Sequence, residues 1–179
     1  IVAYDYGIKR NILRLFAEND CHVTVVPADT PAEAVLEREP DGVFLANGPG
    51  DPAAVSYAPE IIRTIAAREV PILGICLGHQ LLALATGHET FKLPFGHRGA
   101  NHPVLQRDRG RVLVTSQNHG FAVRATDAAE ATHLSLYDET VEGLEFPELR
   151  ARSLQFHPEA GPGPHDAWPL LERWVDDVA

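Results

Sequence analysis

A chain of 179 residues, 45% hydrophobic and 22% charged, has the length and composition of one globular domain with a sizeable core. Its formal net charge of −10 argues against a nucleic-acid partner, which needs a basic face. No apolar run approaches the roughly 20 residues that cross a bilayer, nothing reads as a signal peptide, and the two cysteines, Cys21 and Cys76, supply no Cys-x-x-Cys zinc pair.

The predicted elements alternate over the first half. Ile1–Asp5 reads as a strand already of core character; with no methionine in the chain, this opening reads as a domain cut from a longer protein. Ile8, Ile12, Leu15 and Phe16 recur at helical spacing, and His22–Val26 is a β-branched strand with Cys21 packing at its start as a small apolar residue. Thr30, Pro31 and Glu33 have the spacing of a capping box and predict a helix over Pro31–Arg38. Gly42–Ala46 is a third strand, followed by the loop Asn47-Gly48-Pro49-Gly50-Asp51-Pro52. Ile61, Ile62, Ile65 and Ala66 line another helix, and Pro71–Ile75 is a fourth strand.

The second half changes character. Thr90–Leu93, Val112–Ser116, Phe121–Arg124, Ala131–Tyr137, Val141–Phe146 and Arg152–Phe156 read as short strands without helices between them, the pattern of antiparallel hairpins. Leu171, Trp174, Val175 and Val178 form a closing amphipathic helix. The fold class is therefore α/β: an open, mostly parallel central sheet with helices on both faces, plus an antiparallel extension at its edge. No linker or repeat divides the chain, so residues 1–179 form one domain. Ligands of open α/β sheets sit outside the carboxyl ends of the strands, so the strand ends at Asp5, Asn47 and Cys76 should converge on one crevice.

The fourth strand runs into Gly74-Ile75-Cys76-Leu77-Gly78-His79-Gln80, and a helix-forming run follows over Gln80–Ala85. The same design holds the serine of Gly-x-Ser-x-Gly hydrolases on a strained strand-to-helix turn. A side chain at either flanking glycine would collide with the neighbouring strand and helix. At a helix N-terminus, unpaired N–H groups and the positive dipole end favour thiolate over thiol, which marks Cys76 as a nucleophile. A reducing cytoplasm suits such a free thiol.

A cysteine nucleophile needs a base, and the base an orienting partner. His157 ends a strand and begins His157-Pro158-Glu159, where Pro158 restricts the exit geometry and Glu159 can hold the imidazole tautomer. The loop at Asn47–Pro52 lacks the Walker lysine and the Gly-x-Gly-x-x-Gly spacing, so nucleotide binding there is not expected. Its bare backbone N–H groups could instead join that of Leu77 in holding an oxyanion.

Together, Gly-Ile-Cys-Leu-Gly-His-Gln, Asn-Gly-Pro-Gly-Asp-Pro and the late His-Pro-Glu resemble the class I (triad) glutamine amidotransferases, whose core is flavodoxin-like. Tyr4–Asn11, Phe95–Pro103, Gln117–Val123 and Pro158–Asp166 narrow the resemblance to the amidotransferase domain of the carbamoyl-phosphate synthetase small chain. The resemblance implies a triad of Cys76, His157 and Glu159, with the N–H groups of Gly48 and Leu77 as oxyanion hole. It implies a glutamine site of Gly48, Gly50, Leu77, Gln80, Asn118, Gly120 and Phe121, and no metal or cofactor in this domain. L-glutamine would be the substrate, and ammonia would pass to a large synthetase subunit that uses ATP and Mg, in a cytoplasmic enzyme of arginine and pyrimidine biosynthesis. The family's small chain also has an N-terminal domain, absent here, that contributes to the pocket and to docking. Gly161 stands where many relatives carry serine. Rival readings are an amidotransferase serving a guanylate, anthranilate or purine synthetase, and a silent regulatory module with a vestigial triad.

Overall fold

The computed structural model describes residues 1–124 and 130–178. In chain order the elements are β1 (Val2–Asp5), α1 (Arg10–Glu18), β2 (Thr24–Pro27), α2 (Ala32–Leu36), β3 (Val43–Leu45), α3 (Ala58–Ala66) and β4 (Ile72–Ile75). There follow α4 (Leu77–Ala85), β5 (Thr90–Gln106), β6 (Arg111–Val123), β7 (Ala131–Ser135), β8 (Val141–Phe146), β9 (Ala151–Leu154) and α5 (Trp168–Val178).

The strands form one sheet in the order β2-β1-β3-β4-β9-β8-β6-β5-β7. Neighbours from β2 to β9 run parallel, and the pairings from β9 onward are antiparallel, so the sheet is mixed. β7 pairs with both β5 and β8, which curls the antiparallel half back on itself.

Strand alternation separates two cores. Val2, Tyr4, Val43, Leu45 and Ile72 face α2, α3 and α4, whereas Ala3, Phe44, Ala46, Leu73 and Ile75 face Ile12 and Phe16 of α1 and Leu171 and Trp174 of α5. The helices thus cover both faces of the parallel half. Val104, Leu113, Leu154, Phe156 and Ala167 make a third, smaller core beside the antiparallel half.

The predicted capping box is not formed. Thr30 Oγ1 donates back to Pro27 O (2.8 Å), and Pro31 caps α2 without a side-chain bond. That hydroxyl closes the turn after β2 instead of the helix, and α2 is shorter than Pro31–Arg38. The short segments read over 90–124 are parts of two long strands. β5 absorbs its glycines through register shifts between Lys92 and His97 and between Gly99 and His102, with Gly96 and Gly99 at φ of 68° and 137°. The final hairpin, β8–β9, docks its second strand in parallel against β4.

Between β4 and α4 the chain turns at Cys76, with φ 54° and ψ −102°. A Cβ on Gly74 would lie 2.6 Å from Gly78 O, and one on Gly78 would lie 2.0 Å from Leu45 O. These close approaches let strand, turn and buried helix nest, which is the need the sequence expresses in its flanking glycines. Gly78→Ala should therefore cost about 3 kcal/mol or more, because β3 backbone cannot give way. Gly120→Ala, whose Cβ would meet nothing within 4 Å, should cost less than about 1 kcal/mol. Urea-unfolding midpoints of the two variants test the contrast, and equal losses would contradict it.

Candidate active site

Parallel pairing of β4 with β9 sets Ile75 opposite Leu154, so both chains leave the sheet at the same edge. Cys76 N–H donates to Leu154 O (2.9 Å) and His157 N–H to Ser116 O (2.9 Å), which fixes the two exits relative to each other. The ends of β1 and β3 arrive at the same place. Asp5 Oδ1 accepts from Gly7 and Ile8 N–H, and Asn47 ties in by accepting from Lys9 N–H and donating to Gly7 O. The strand ends at Asp5, Asn47 and Cys76 thus lie at one edge of the sheet, and of the three only Cys76 lines the pocket described below.

His157 Nδ1 lies 2.8 Å from Glu159 Oε1, and both side chains are buried. Burial opposes a charged ring, but hydrogen bonds to Cys76 and Glu159 outweigh it and raise the His157 pKa to about 9. Burial likewise pushes Glu159 upward, yet the His157 hydrogen bond and charge, then the Lys9 ammonium, hold its carboxyl below the usual range. Lys9 Nζ is 3.2 Å from Glu159 Oε1 and 3.1 Å from His157 Nδ1. Only the carboxylate can accept from the ammonium while Nδ1–H donates to Glu159, so the ion pair with Glu159 is the attractive contact. Asn11 Nδ2 donates to the Glu159 carbonyl. Lys9 and Asn11 received no role from the sequence; they follow the end of β1, the edge where the other strands deliver their residues.

A pocket of about 80 Å³ opens on Cys76 and is lined by Gly48, Pro49, Gly50, Gln80, Asn118, His119, Gly120 and Phe121. Larger hollows exist, one of about 500 Å³ beside Cys21, so chemistry and not size marks this one. Six of the residues expected to hold substrate line it. Leu77 does not: its side chain is buried in the core, and only its backbone is available, in the first helical turn where N–H groups lack an acceptor inside the helix. A Cβ on Gly48 would lie 2.2 Å from Tyr6 O and 2.9 Å from Leu77 Cδ2, so the loop lies directly against the start of α4. Gln80 Nε2 donates to Phe121 O (2.8 Å) and Gln155 Oε1 (2.9 Å), which locks its amide at the pocket floor.

His119 is a lining residue that sequence reasoning missed, although it lies within the stretch Gln117–Val123. Burial foremost lowers its pKa to about 4. Potential ligand atoms of His97, His119 and Glu142 lie within 4.8 Å of one another, the one such group among the described residues. Hydrogen bonds with one another and with Gln117 and Asp138 engage these side chains.

The chain is similar to known proteins over nearly its whole length. The family described as glutamine amidotransferase class-I matches residues 2–176. The carbamoyl phosphate synthase small chain of Halomonas eurihalina is 56% identical over 179 residues, covering 98% of this chain and 47% of that protein. That of Syntrophotalea carbinolica is 59% identical over 179 residues, with the same coverage of 98% and 47%. The chain thus spans about half the length of the curated relatives it matches. A glutamine amidotransferase of Thermotoga maritima superposes with a TM-score of 0.71 at 22% identity, covering 99% of this chain and 82% of that one, which shows a shared fold.

The electrostatics make a measurable prediction. His157 should titrate near pH 9 by histidine NMR, and Cys76→Ala, which removes one of the bonds that raise it, should move the midpoint downward. Because the folded pKa lies above the unfolded value of about 6.5, the pairing stabilises the fold fully below that pH and is lost as pH rises through 9. A midpoint near 6.5 that ignores Cys76→Ala would contradict the pairing.

Proposed function

The chain belongs to the class I glutamine amidotransferase family, and from that premise we propose that it hydrolyses L-glutamine through a γ-glutamyl thioester on Cys76. The ammonia released serves a carbamoyl-phosphate synthetase large subunit, in the enzyme that feeds arginine and pyrimidine biosynthesis. The observation that carries the reaction is His157, with Nδ1 2.8 Å from Glu159 Oε1 and a pKa raised by both Cys76 and Glu159, beside a pocket that Cys76 lines.

In this reading Cys76 Sγ attacks the side-chain amide carbon of glutamine while its proton passes to His157. Negative charge gathers on the amide oxygen, where the N–H groups of Gly48 and Leu77 receive it. His157 then donates its proton to the departing ammonia, leaving a thioester. A water molecule, deprotonated by His157, attacks the thioester carbonyl and releases glutamate and the thiol. Glu159 holds the ring in position and stabilises the imidazolium, and Lys9 helps keep Glu159 ionised. Gly48, Gly50, Leu77, Gln80, Asn118, Gly120 and Phe121 hold the substrate. No metal or cofactor is needed for these steps; ATP and Mg belong to the partner's chemistry.

Support for the carbamoyl-phosphate branch comes from the names of the relatives at 56% and 59% identity. The further half of such small chains is proposed as an N-terminal domain that adjoins the pocket. A location in the cytoplasm fits a domain whose nucleophile must stay reduced, and no described helix is long and apolar enough to cross a membrane.

A diazo or chloroketone analogue of glutamine should add its mass to the peptide containing Cys76 and spare Cys21, whose thiol burial pushes up and away from reactivity. Labelling at Cys21 instead would refute the assignment. Cys76→Ser should abolish turnover and retain glutamine binding. His157→Asn should lose on the order of 10⁴-fold or more in kcat, and Glu159→Gln should lose less, because it only orients the ring. The reverse order would mean that His157 is not the base.

A further inference from the structure

Behind His119 lies a buried polar network that the proposed chemistry does not use. His119 Nε2 is 2.7 Å from Gln117 Oε1, and Nδ1 is 2.8 Å from Phe121 O. Whichever ring nitrogen carries the proton, a carbonyl oxygen is there to accept it. Gln117 Oε1 also faces His97 Nδ1 at 3.1 Å, while Gln117 Nε2 donates to Glu142 Oε2 (3.0 Å) and Thr115 Oγ1 (3.2 Å). Every donor and acceptor position of that amide is therefore occupied. Glu142 is fully buried and Gln117 is 2% exposed.

The charges behind the amide are matched. His97 lies 3.3 Å from Glu142 Oε1 and 2.9 Å from Asp138 Oδ2. Hydrogen bonding to Glu142, against burial and with help from Asp138, raises the His97 pKa to about 9, so a cation faces the buried carboxylate. Burial pushes the Glu142 carboxyl upward while hydrogen bonds from His97 and Gln117 pull the other way, and the His97 cation, which can only donate, requires the oxygen end of the Gln117 amide to face it and the NH₂ end to face Glu142. The oxygen of Gln117 must then point at His119. On its other side the His119 ring lies against Phe121 O, which accepts from Gln80 Nε2; the neutral ring donates its one N–H to Gln117 or to Phe121, not to both. His119, Phe121 and Gln80 line the pocket that opens on Cys76.

We propose that Gln117, oriented by Glu142, is a positioning residue for glutamine: it holds His119 and the Asn118–Phe121 edge of β6 in the shape the substrate requires. It governs glutamine affinity and leaves thiol reactivity alone, since the side-chain bonds of the network do not touch Cys76, His157 or Glu159. The inference rests on the pocket being the glutamine site.

The test is glutaminase kinetics in the intact enzyme with its synthetase partner, joined to iodoacetamide alkylation of Cys76 with and without glutamine. Gln117→Leu removes every bond of the amide and should raise KM for glutamine about tenfold or more while kcat stays within about threefold. Its alkylation rate without glutamine should match that of the unaltered enzyme, and protection by glutamine should weaken in step with KM. Gln117→Asn, which withdraws the amide by one methylene, gives the same reading if the leucine variant fails to fold. Glu142→Gln keeps an acceptor for Gln117 and should raise KM less than Glu142→Leu. A fall in kcat with KM unchanged, a parallel loss of alkylation rate, or unaltered kinetics would overturn the proposal while leaving glutamine hydrolysis standing. Absence of both turnover and protection in the unaltered enzyme would overturn the glutamine reading and this inference together.

Discussion

Everything in the site depends on one backbone constraint, the turn at Cys76. With φ at 54° and ψ at −102°, the residue occupies a region that costs a non-glycine residue about 1–3 kcal/mol. The turn persists because its surroundings over-determine it. Cys76 N–H is bonded to Leu154 O, Gly78 N–H to Ala46 O and Gln80 N–H to Cys76 O, so β9, β3 and α4 each grip it. Gly74 and Gly78 let α4 approach β4 and β3 more closely than any side chain would allow. Strain at Cys76 is thus balanced by packing on both flanks.

The second constraint is charge. His157 and Glu159 are both buried, and ionised groups out of water are costly unless paired. Here the pairing is nearly closed on itself: Glu159 faces His157 on one side and Lys9 on the other, while Lys9 stays about half exposed and hydrated. A buried acid with a single cationic partner would lose its charge balance each time His157 gave up its proton. Lys9 supplies a second positive charge 3.2 Å from the carboxylate, so Glu159 has a cationic partner besides the ring. This explains why a lysine from the turn after β1 belongs beside a triad whose named members come from β4 and β9.

The nucleophile turn, the parallel first half and the closing helix were legible because each is a local signal: glycine spacing, alternation, or 3.6-residue periodicity. Gly74 and Gly78 announced the collisions they avoid, and His157-Pro158-Glu159 announced a constrained exit. Long-range effects were not legible. Thr30 has the spacing of a capping residue, but its hydroxyl bonds back to Pro27 because β2 ends there. Gly96, Gly99 and Pro103 look like strand breakers, yet β5 runs on past them, with register shifts at the glycines and Pro103 paired with Val114, because β6 offers a long partner. Lys9, Asn11 and His119 matter through residues more than 100 positions away or through a strand's buried face, and one sequence carries no sign of either contact.

The proposed chemistry and the proposed recognition lie on different halves of the sheet. Cys76 and His157 follow β4 and β9, which belong to the parallel half, whereas Asn118, His119, Gly120 and Phe121 lie on β6 in the antiparallel half. β9 is the joint, parallel to β4 and antiparallel to β8. Bulges in β5 can therefore reshape the pocket wall without altering the β4–β9 ladder that aligns thiol and base. A direct backbone tie crosses the divide, the bond from His157 N–H to Ser116 O at 2.9 Å. One such bond is worth about 1 kcal/mol net. That is too little to pull His157 away from Glu159 and Cys76 together, and enough to keep the pocket wall in register with the base. The arrangement sets the wall from β6 and the proposed triad from the β4–β9 ladder, so each can be held by its own partners.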